Sequence, residues 1–254
     1  MFSNLLKNIS PVVKNILIIN VLFFVAQLTF KETVENNLTL FPFGSEGFKP
    51  WQLATHFFMH SRQSIGHIFF NMFAVVIFGT QLERVWGPKK FLGYYLICAF
   101  GAALLHMLVN YLRLKSFESH LLEISLIEPT EIQYYLDIAK NQGLELIKSN
   151  RNYTAFPLME LNSLVNAPML GASGAVFGLL AAFGYLFPNT ELMLLFPPIP
   201  IKAKYFVIGY AALELYLGIS NNPSDNVAHF AHLGGALVGI IIVLYWGKNR
   251  NSFF

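Results

Sequence analysis

Gly171-Ala172-Ser173-Gly174-Ala175-Val176-Phe177-Gly178 lies near the start of a segment, 169–187, whose other residues are almost all apolar. A bilayer core of about 30 Å requires roughly 20 apolar residues in a helix, so this segment is predicted to span a membrane. A serine there is either a small residue that lets helices pack closely or a reactive hydroxyl. The other apolar segments favour the reactive hydroxyl, because polar residues recur in them at matching positions.

The composition of the whole chain is that of a protein with several membrane spans. Of its 254 residues, 55% are hydrophobic and only 12% are charged, which is about half the usual charged fraction of a soluble domain. The mean hydropathy is +0.51. A net charge of +3 without a basic patch argues against a nucleic-acid partner, and the single cysteine excludes an intrachain disulfide.

Six apolar segments are predicted to be spanning helices of one all-α, polytopic domain over residues 1–254: 12–30, 66–83, 91–112, 169–187, 204–219 and 226–246. The first is predicted to be a retained span, because no small-residue cleavage site follows it. An even number of spans leaves both termini on one side of the membrane. The termini and loops 84–90 and 188–204 hold more than half of the 17 basic residues, so both termini are predicted to be cytoplasmic.

This topology brings three polar positions to one depth. His67 and Asn71 lie in the first two turns of the second span, Ser173 near the start of the fourth, and His232 near the start of the sixth. All three spans enter from the extracytoplasmic side, so these residues are predicted to lie within roughly 10 Å of that boundary. They can therefore share one site.

Two small-residue patterns predict which helices meet. Gly174-x-x-x-Gly178 in the fourth span and Gly235-x-x-x-Gly239 in the sixth let membrane helices pack backbone to backbone. His232 lies on the same face as these last two glycines. Close packing would therefore bring the histidine toward the serine.

These residue types fit nucleophilic catalysis. A serine hydroxyl is a weak nucleophile until a base takes its proton, and His232 is the candidate base for Ser173. His67, Asn71 and the serine N–H are candidate donors to the oxyanion that acyl transfer develops. Phe177, one turn after the serine, is placed to pack against the imidazole.

The remaining ionisable groups are predicted to be secondary. No aspartate or glutamate is expected to orient His232, so the prediction is a serine–histidine dyad. Glu214 in the fifth span is expected to make an interhelical hydrogen bond. His229 competes for the role of base but is expected to lie nearer the surface. No cofactor or metal is predicted, because no carboxylate or cysteine completes a ligand set around His56, His60 and His67.

Several motifs, in this order, resemble the rhomboid family of intramembrane serine proteases: Phe48-Lys49-Pro50-Trp51-Gln52-Leu53, His67-x-x-x-Asn71, Gly79 with Glu83-x-x-x-Gly87, Gly171-Ala172-Ser173-Gly174 and Ala231-His232-Leu233-Gly234-Gly235. The resemblance implies a six-helix bundle in which Ser173 is the nucleophile, His232 the general base, and His67 with Asn71 the oxyanion donors. It also implies cleavage of single-span membrane proteins near their outer end, at segments that leave the helical conformation easily.

Residues 114–166 are predicted to be an extracytoplasmic helical insertion between the third and fourth spans. Within it, Pro129-Thr130-x-x-Gln133 has the form of a capping box and predicts a helix that ends near 141–143. The insertion either rests on the bilayer or the bundle, or covers the site and guides substrates. The loop 219–226 is a candidate lid above the site.

The predicted location is a bacterial plasma membrane, with the site open to the extracytoplasmic side and the spans in contact with lipid. Two other functions remain open. A non-catalytic rhomboid-like protein would bind membrane helices without cutting them, and such a protein is expected to lack the serine or the histidine. A transporter would carry polar groups along the whole membrane depth, whereas here they gather at one end.

Overall fold

The computed structural model describes residues 8–123, 129–145, 158–193, 198–220 and 227–248. These residues are mostly helical, with one short antiparallel pair of strands. The elements are α1 Pro11–Phe30, α2 Glu32–Leu38, α3 Gln52–Thr55, α4 Ile65–Trp86, α5 Pro88–Glu123, α6 Pro129–Ile138, α7 Leu158–Asn166, α8 Ser173–Leu186, β1 Glu191–Met193, β2 Pro200–Lys202, α9 Ala203–Ser220 and α10 His229–Lys248. Helix α4 contains a wider, π-helical turn at Val75–Gly79.

Each of the six predicted spans overlaps with a helix, namely α1, α4, α5, α8, α9 or α10, although the bounds differ. Among the described residues, four helices are long and apolar enough to cross a membrane: α1, α4, α5 and α10. Helix α8 is apolar but has only 14 residues. The all-α membrane architecture is therefore confirmed and the chain is an integral membrane protein, while the count of six spans and the side of the termini stay predictions.

Helix α8 lies at the centre of the bundle. Every residue from Gly174 to Gly184 is buried, and α5 and α10 pack along it. The outward faces of the other helices are apolar, as at Ile18, Leu22 and Val25 of α1, whose side chains are half exposed. A buried central helix with an apolar periphery is the arrangement expected of a bundle surrounded by lipid.

The segment before α8 is extended rather than helical, so the predicted start of the fourth span at 169 is wrong. Met169 pairs with Leu40 through two backbone hydrogen bonds of 2.8 and 2.9 Å. Gly171 then adopts φ +119°, a conformation that ends any helix and favours glycine. Ser173 is consequently the first residue of its helix rather than about the fifth.

Helix α5 is longer than its predicted range of 91–112, because its last turns belong to the insertion and pack against α6 and α7. Leu121 of α5 shares a small core with Ile132 and Leu136 of α6 and with Leu161 and Val165 of α7. The predicted helix from Pro129 is present as α6 and continues as a π-helical turn to Gly143. Most of the candidate lid, residues 221–226, lies outside the described residues.

Helix α1 is fixed to α4 at the end of the bundle opposite Ser173. The Glu83 carboxylate accepts hydrogen bonds from the backbone N–H groups of Val12 and Val13, each 3.0 Å long, and from the Ser10 hydroxyl. The first N–H groups of a helix have no acceptor within it. A side chain of α4 thus completes the N-terminus of α1.

Candidate active site

The Ser173 hydroxyl and the His232 imidazole are in direct contact. The distance from Ser173 Oγ to His232 Nε2 is 2.8 Å, a normal hydrogen-bond length. Ser173 is half-buried as the first residue of α8, and His232 is buried in the first turn of α10. The two residues that the sequence singled out as nucleophile and base therefore meet, although they are 59 positions apart.

Glycines allow this approach. A Cβ atom at Gly235 would overlap the carbonyl oxygen of Gly174, and one at Gly239 would lie 3.0 Å from the Cα of Gly178. The predicted backbone-to-backbone contact between α8 and α10 is thus confirmed. No other residue type would fit at Gly235 without moving one of the two helices.

Phe177 holds the plane of the imidazole. Its ring stacks on that of His232, with centroids 4.4 Å apart and an interplanar angle of 6°. Tyr210 of α9 also packs against the phenylalanine, with ring centroids 4.8 Å apart. The serine and the stacking ring lie on one face of α8, because they are one helical turn apart.

The expectation that no carboxylate orients His232 is wrong. Glu214 Oε2 lies 2.8 Å from His232 Nδ1, and the glutamate side chain is buried. The sequence signals for this contact are an acidic residue in an apolar helix and a short connection between α9 and α10. That connection brings the end of one helix to the depth at which the other begins, but only the structure shows which face of α9 carries the carboxylate.

His229 is also buried, and the expectation that it lies nearer the surface than His232 stays a prediction. Its Nδ1 lies 2.7 Å from the same Glu214 oxygen that contacts His232. Among the described residues, these three form the group that could hold a metal ion, with ligand atoms within 4.8 Å of one another. Their geometry is also accounted for by hydrogen bonding, since the shared carboxylate oxygen accepts from both Nδ1 atoms.

His67 lies beside Ser173, and its imidazole proton is on Nε2. The backbone N–H of Ser61 donates to His67 Nδ1 over 3.1 Å, so the neutral ring carries its proton on Nε2. A Cβ at Gly171 would lie 3.0 Å from His67 Nε2 and 3.5 Å from Ser173 Oγ. The imidazole N–H and the serine hydroxyl therefore border the same small space.

Asn71 lies one turn further along α4. Its Nδ2 donates to the backbone oxygen of His67 over 2.8 Å, and its buried Oδ1 has no hydrogen-bond partner. The second hydrogen of Nδ2 is not used by that bond. The described contacts do not bring the amide to Ser173, in contrast to His67, whose ring borders the serine.

The loop between α2 and α4 forms one wall of the site. Gln52 is fully buried, and its side chain accepts from Lys49 N–H and donates to the oxygen of Gly47. The backbone oxygen of His56 accepts from the N–H of Gly171 over 3.0 Å. Burial lowers the pKa of His56 to about 4, so this histidine is neutral and serves as a packing residue. A cavity beside the serine is lined by His56, Phe57, Met169 and several alanines and glycines.

A model of the rhomboid domain matches residues 47–116 and 145–249 of the chain. RHOMBOID-like protein 12, mitochondrial, of Arabidopsis thaliana is 29% identical over 204 residues, which are 80% of this chain and 47% of that protein. Rhomboid protein 1, mitochondrial, of Saccharomyces cerevisiae is 24% identical over 74% of this chain and 40% of its own length. Rhomboid protease AarA of Providencia stuartii is 24% identical over 89% of this chain and 69% of its own length.

The chain thus spans less than half the length of the plant and yeast relatives. These relatives are mitochondrial by name, whereas AarA comes from a bacterium. The apolar helices indicate an integral membrane protein, and the mitochondrial names of these relatives do not favour the bacterial plasma membrane that the sequence predicted.

Proposed function

The chain belongs to the rhomboid family, and on that basis we propose that it is an intramembrane serine endopeptidase that uses Ser173 and His232. The observation that carries the proposal is the 2.8 Å contact between Ser173 Oγ and His232 Nε2. A neutral imidazole at this distance can take the hydroxyl proton as the oxygen attacks. AarA, which is called a rhomboid protease, supports the same activity class.

In the first half of the reaction, Ser173 Oγ forms a bond to the carbon of the scissile carbonyl while its proton moves to His232 Nε2. The carbonyl π electrons pass to the oxygen. As the C–N bond breaks, Nε2–H gives the proton to the leaving amine, and the acyl group remains on the serine as an ester. In the second half, a water gives a proton to the histidine and attacks the ester, and the proton returns to Ser173 Oγ.

The oxyanion needs donors that are in place before it forms. The His67 Nε2–H, the Ser173 backbone N–H and the free hydrogen of Asn71 Nδ2 are our candidates. The serine N–H has no acceptor within α8, because it belongs to the first residue of the helix. Losing one donor of this kind costs about 100- to 1,000-fold in kcat.

We propose that the substrates are single-span membrane proteins with segments that unwind easily. A helix in lipid keeps its carbonyl groups in its own hydrogen bonds, so a substrate must leave the helical conformation before Ser173 can attack. On the proposed topology of six spans and cytoplasmic termini, the site opens to the extracytoplasmic side. The insertion 114–166 then lies on that side, and it is joined to the loop wall by a 2.8 Å hydrogen bond from Ser45 to Asn166.

The test compares wild-type protein with Ser173→Ala and His232→Ala, purified in detergent and given a tagged single-span substrate. Both variants are expected to lose at least about 1,000-fold in kcat, since the nucleophile and base act as a unit. Ser119→Ala, which changes an exposed serine on α5, is the control and should cleave normally. Undiminished cleavage by either site variant contradicts the proposal, and wild-type protein that binds the substrate without cutting it would be a non-catalytic member of the family.

A further inference from the structure

Glu214 is a buried carboxylate in an apolar helix, and the dyad chemistry alone gives it no role. Its side chain is only 5% exposed and belongs to the last two turns of α9, with apolar residues on both sides in the sequence. A carboxylate at such a place is costly unless other groups satisfy it. Its partners therefore indicate why the chain tolerates it.

Those partners are two imidazoles of α10. Glu214 Oε2 accepts from His229 Nδ1 over 2.7 Å and from His232 Nδ1 over 2.8 Å. A carboxylate can only accept, so each Nδ1 must carry a proton. The neutral ring of His232 then has its lone pair on Nε2, the atom that contacts Ser173.

We propose that Glu214 is a positioning residue that makes His232 a base toward Ser173. This proposal rests on the proposed serine protease function. Glu214 holds the tautomer with its proton on Nδ1, and its negative charge stabilises the imidazolium that forms when Nε2 takes the serine proton. Phe177 fixes the ring plane by stacking, while the carboxylate fixes the rotation of the ring within that plane.

His229 completes the arrangement, because it donates to the same carboxylate oxygen as His232. A carboxylate held by two donors has little freedom to turn away from His232. The atoms run in the order Ser173 Oγ, His232 Nε2 and Nδ1, Glu214 Oε2, and His229 Nδ1, with successive hydrogen-bond contacts of 2.8, 2.8 and 2.7 Å. The site thus extends over three helices, α8, α9 and α10.

A metal ion would use these side chains differently. It would bind the Nδ1 lone pairs of both histidines, so the proton of His232 would have to lie on Nε2. Ser173 would then face an N–H donor rather than a base. A metal at this position is therefore incompatible with the proposed role, and a chelator distinguishes the two arrangements.

The first measurement is the kinetics of Glu214→Gln, which keeps the size of the side chain and removes its charge. We expect kcat to fall at least about 100-fold with KM changed less than twofold, and labelling of Ser173 by a fluorophosphonate probe to slow by a similar factor. Glu83→Gln is the matched control, because it makes the same change at a buried carboxylate at the opposite end of the bundle. It should leave KM and the labelling rate of folded protein unchanged.

The second measurement needs no variant and therefore stands even if Glu214→Gln fails to fold. Nitrogen-15 NMR of histidine-labelled wild-type protein should show the neutral His232 ring protonated on Nδ1. A ring protonated on Nε2 overturns the proposal, as does wild-type kcat in Glu214→Gln, or a wild-type rate that rises on adding a chelator. If wild-type protein neither cleaves nor labels at Ser173, the proposed function fails instead, so the two failures are distinguishable.

Discussion

Gly171 is the residue that joins the loop wall to the candidate nucleophile. Its N–H donates to His56, its φ of +119° turns the chain into α8, and its missing side chain leaves room for the His67 ring. An L-residue with a side chain is strained in such a conformation by about 1–3 kcal/mol. Both the backbone and the space beside the serine therefore require glycine here.

Gly171→Ala is expected to lower kcat at least tenfold while the protein still folds. The new Cβ would lie 3.0 Å from the His67 ring and would push it from its place beside Ser173. Gly44→Ala is the control, because no atom lies within 4 Å of its Cβ position and its φ is not in the left-handed region. Substrate cleavage in detergent measures kcat, and thermal unfolding shows whether each variant folds. Equal kcat for both variants would show that position 171 tolerates a side chain.

His60 is a second residue whose protonation state the fold determines. It is fully buried, its Nε2 donates to Asn20 Oδ1 over 2.9 Å, and its backbone is bonded twice to the Gln27 side chain. Burial, and to a smaller extent the nearby imidazole of His67, lowers the pKa of His60 to about 3. The loop before α4 is thus anchored to α1 by a neutral histidine.

Acid is expected to destabilise the protein through His60. Below pH 6.5 the His60 side chain binds a proton in the unfolded chain, whereas in the folded chain it stays neutral down to about pH 3. The contribution of His60 to the free energy of unfolding therefore falls by about 1.4 kcal/mol for each unit by which the pH falls in this window, and it is constant above pH 6.5. Thermal unfolding near pH 7 and near pH 5 should show a smaller loss for His60→Gln than for wild-type protein, and equal losses would exclude His60 as the cause.

At the residue scale, the sequence predicted that Ser173, His232, His67 and Phe177 lie together, and the structure brings them together, although Ser173 begins its helix rather than lying about five residues into it. Depth along a helix follows from counting residues, so these predictions needed only the topology. An interhelical hydrogen bond of Glu214 was predicted and is present, but its contact with His232 was not predicted, because that contact depends on how α9 is rotated about its axis. Apolar residues surround all faces of that helix, so its pattern does not indicate which face points inward.

The contact between α8 and α10 determines the site at the scale of elements. Gly174 and Gly178 of α8 face Gly235 and Gly239 of α10, and Ala102 of α5 packs against Gly174. The backbones of the two helices touch, so neither can shift without moving Ser173 relative to His232. Small-residue patterns predicted this contact, whereas the extended segment before α8 was not predicted because its pairing with Leu40 is long-range.

Gly235→Ala is expected to impair both stability and activity. The methyl group would overlap the Gly174 carbonyl oxygen, which belongs to the backbone and cannot rotate away. Overpacking of this kind costs about 1–3 kcal/mol, and separation of the helices should slow labelling of Ser173 by a fluorophosphonate probe. Gly209→Ala in α9 has open space around its Cβ position and serves as the control. A Gly235→Ala variant that melts and labels like wild-type protein would contradict the close contact.

At the scale of the whole molecule, the insertion and the bundle are one connected structure. Asn166 is fully buried and bonds to Ser45 of the loop, to the Ala139 backbone and to Asn162. The sequence predicted the insertion and the start of α6. The sequence did not predict how the insertion is attached to the bundle, because a buried asparagine network between distant segments has no periodic signature.

Asn166→Ala is expected to lower the free energy of unfolding by about 1–3 kcal/mol, since it leaves several buried polar groups without partners. Gln133→Ala, which removes an exposed amide bonded to Asp137 on α6, should have little effect. Limited proteolysis should cut Asn166→Ala within 114–166 sooner than it cuts the control. The same cleavage rate in both would mean that the attachment does not depend on this residue.

The hydrogen bonds of Glu83 have a consequence for biosynthesis. Val12 and Val13 donate to a side chain that is 71 and 70 positions later in the chain. When α1 leaves the ribosome, these N–H groups have no final acceptor, and they obtain it only after α4 has been translated and has entered the bilayer beside it. Helix α1 can therefore insert early, but its register against the bundle is fixed only after α4 has inserted.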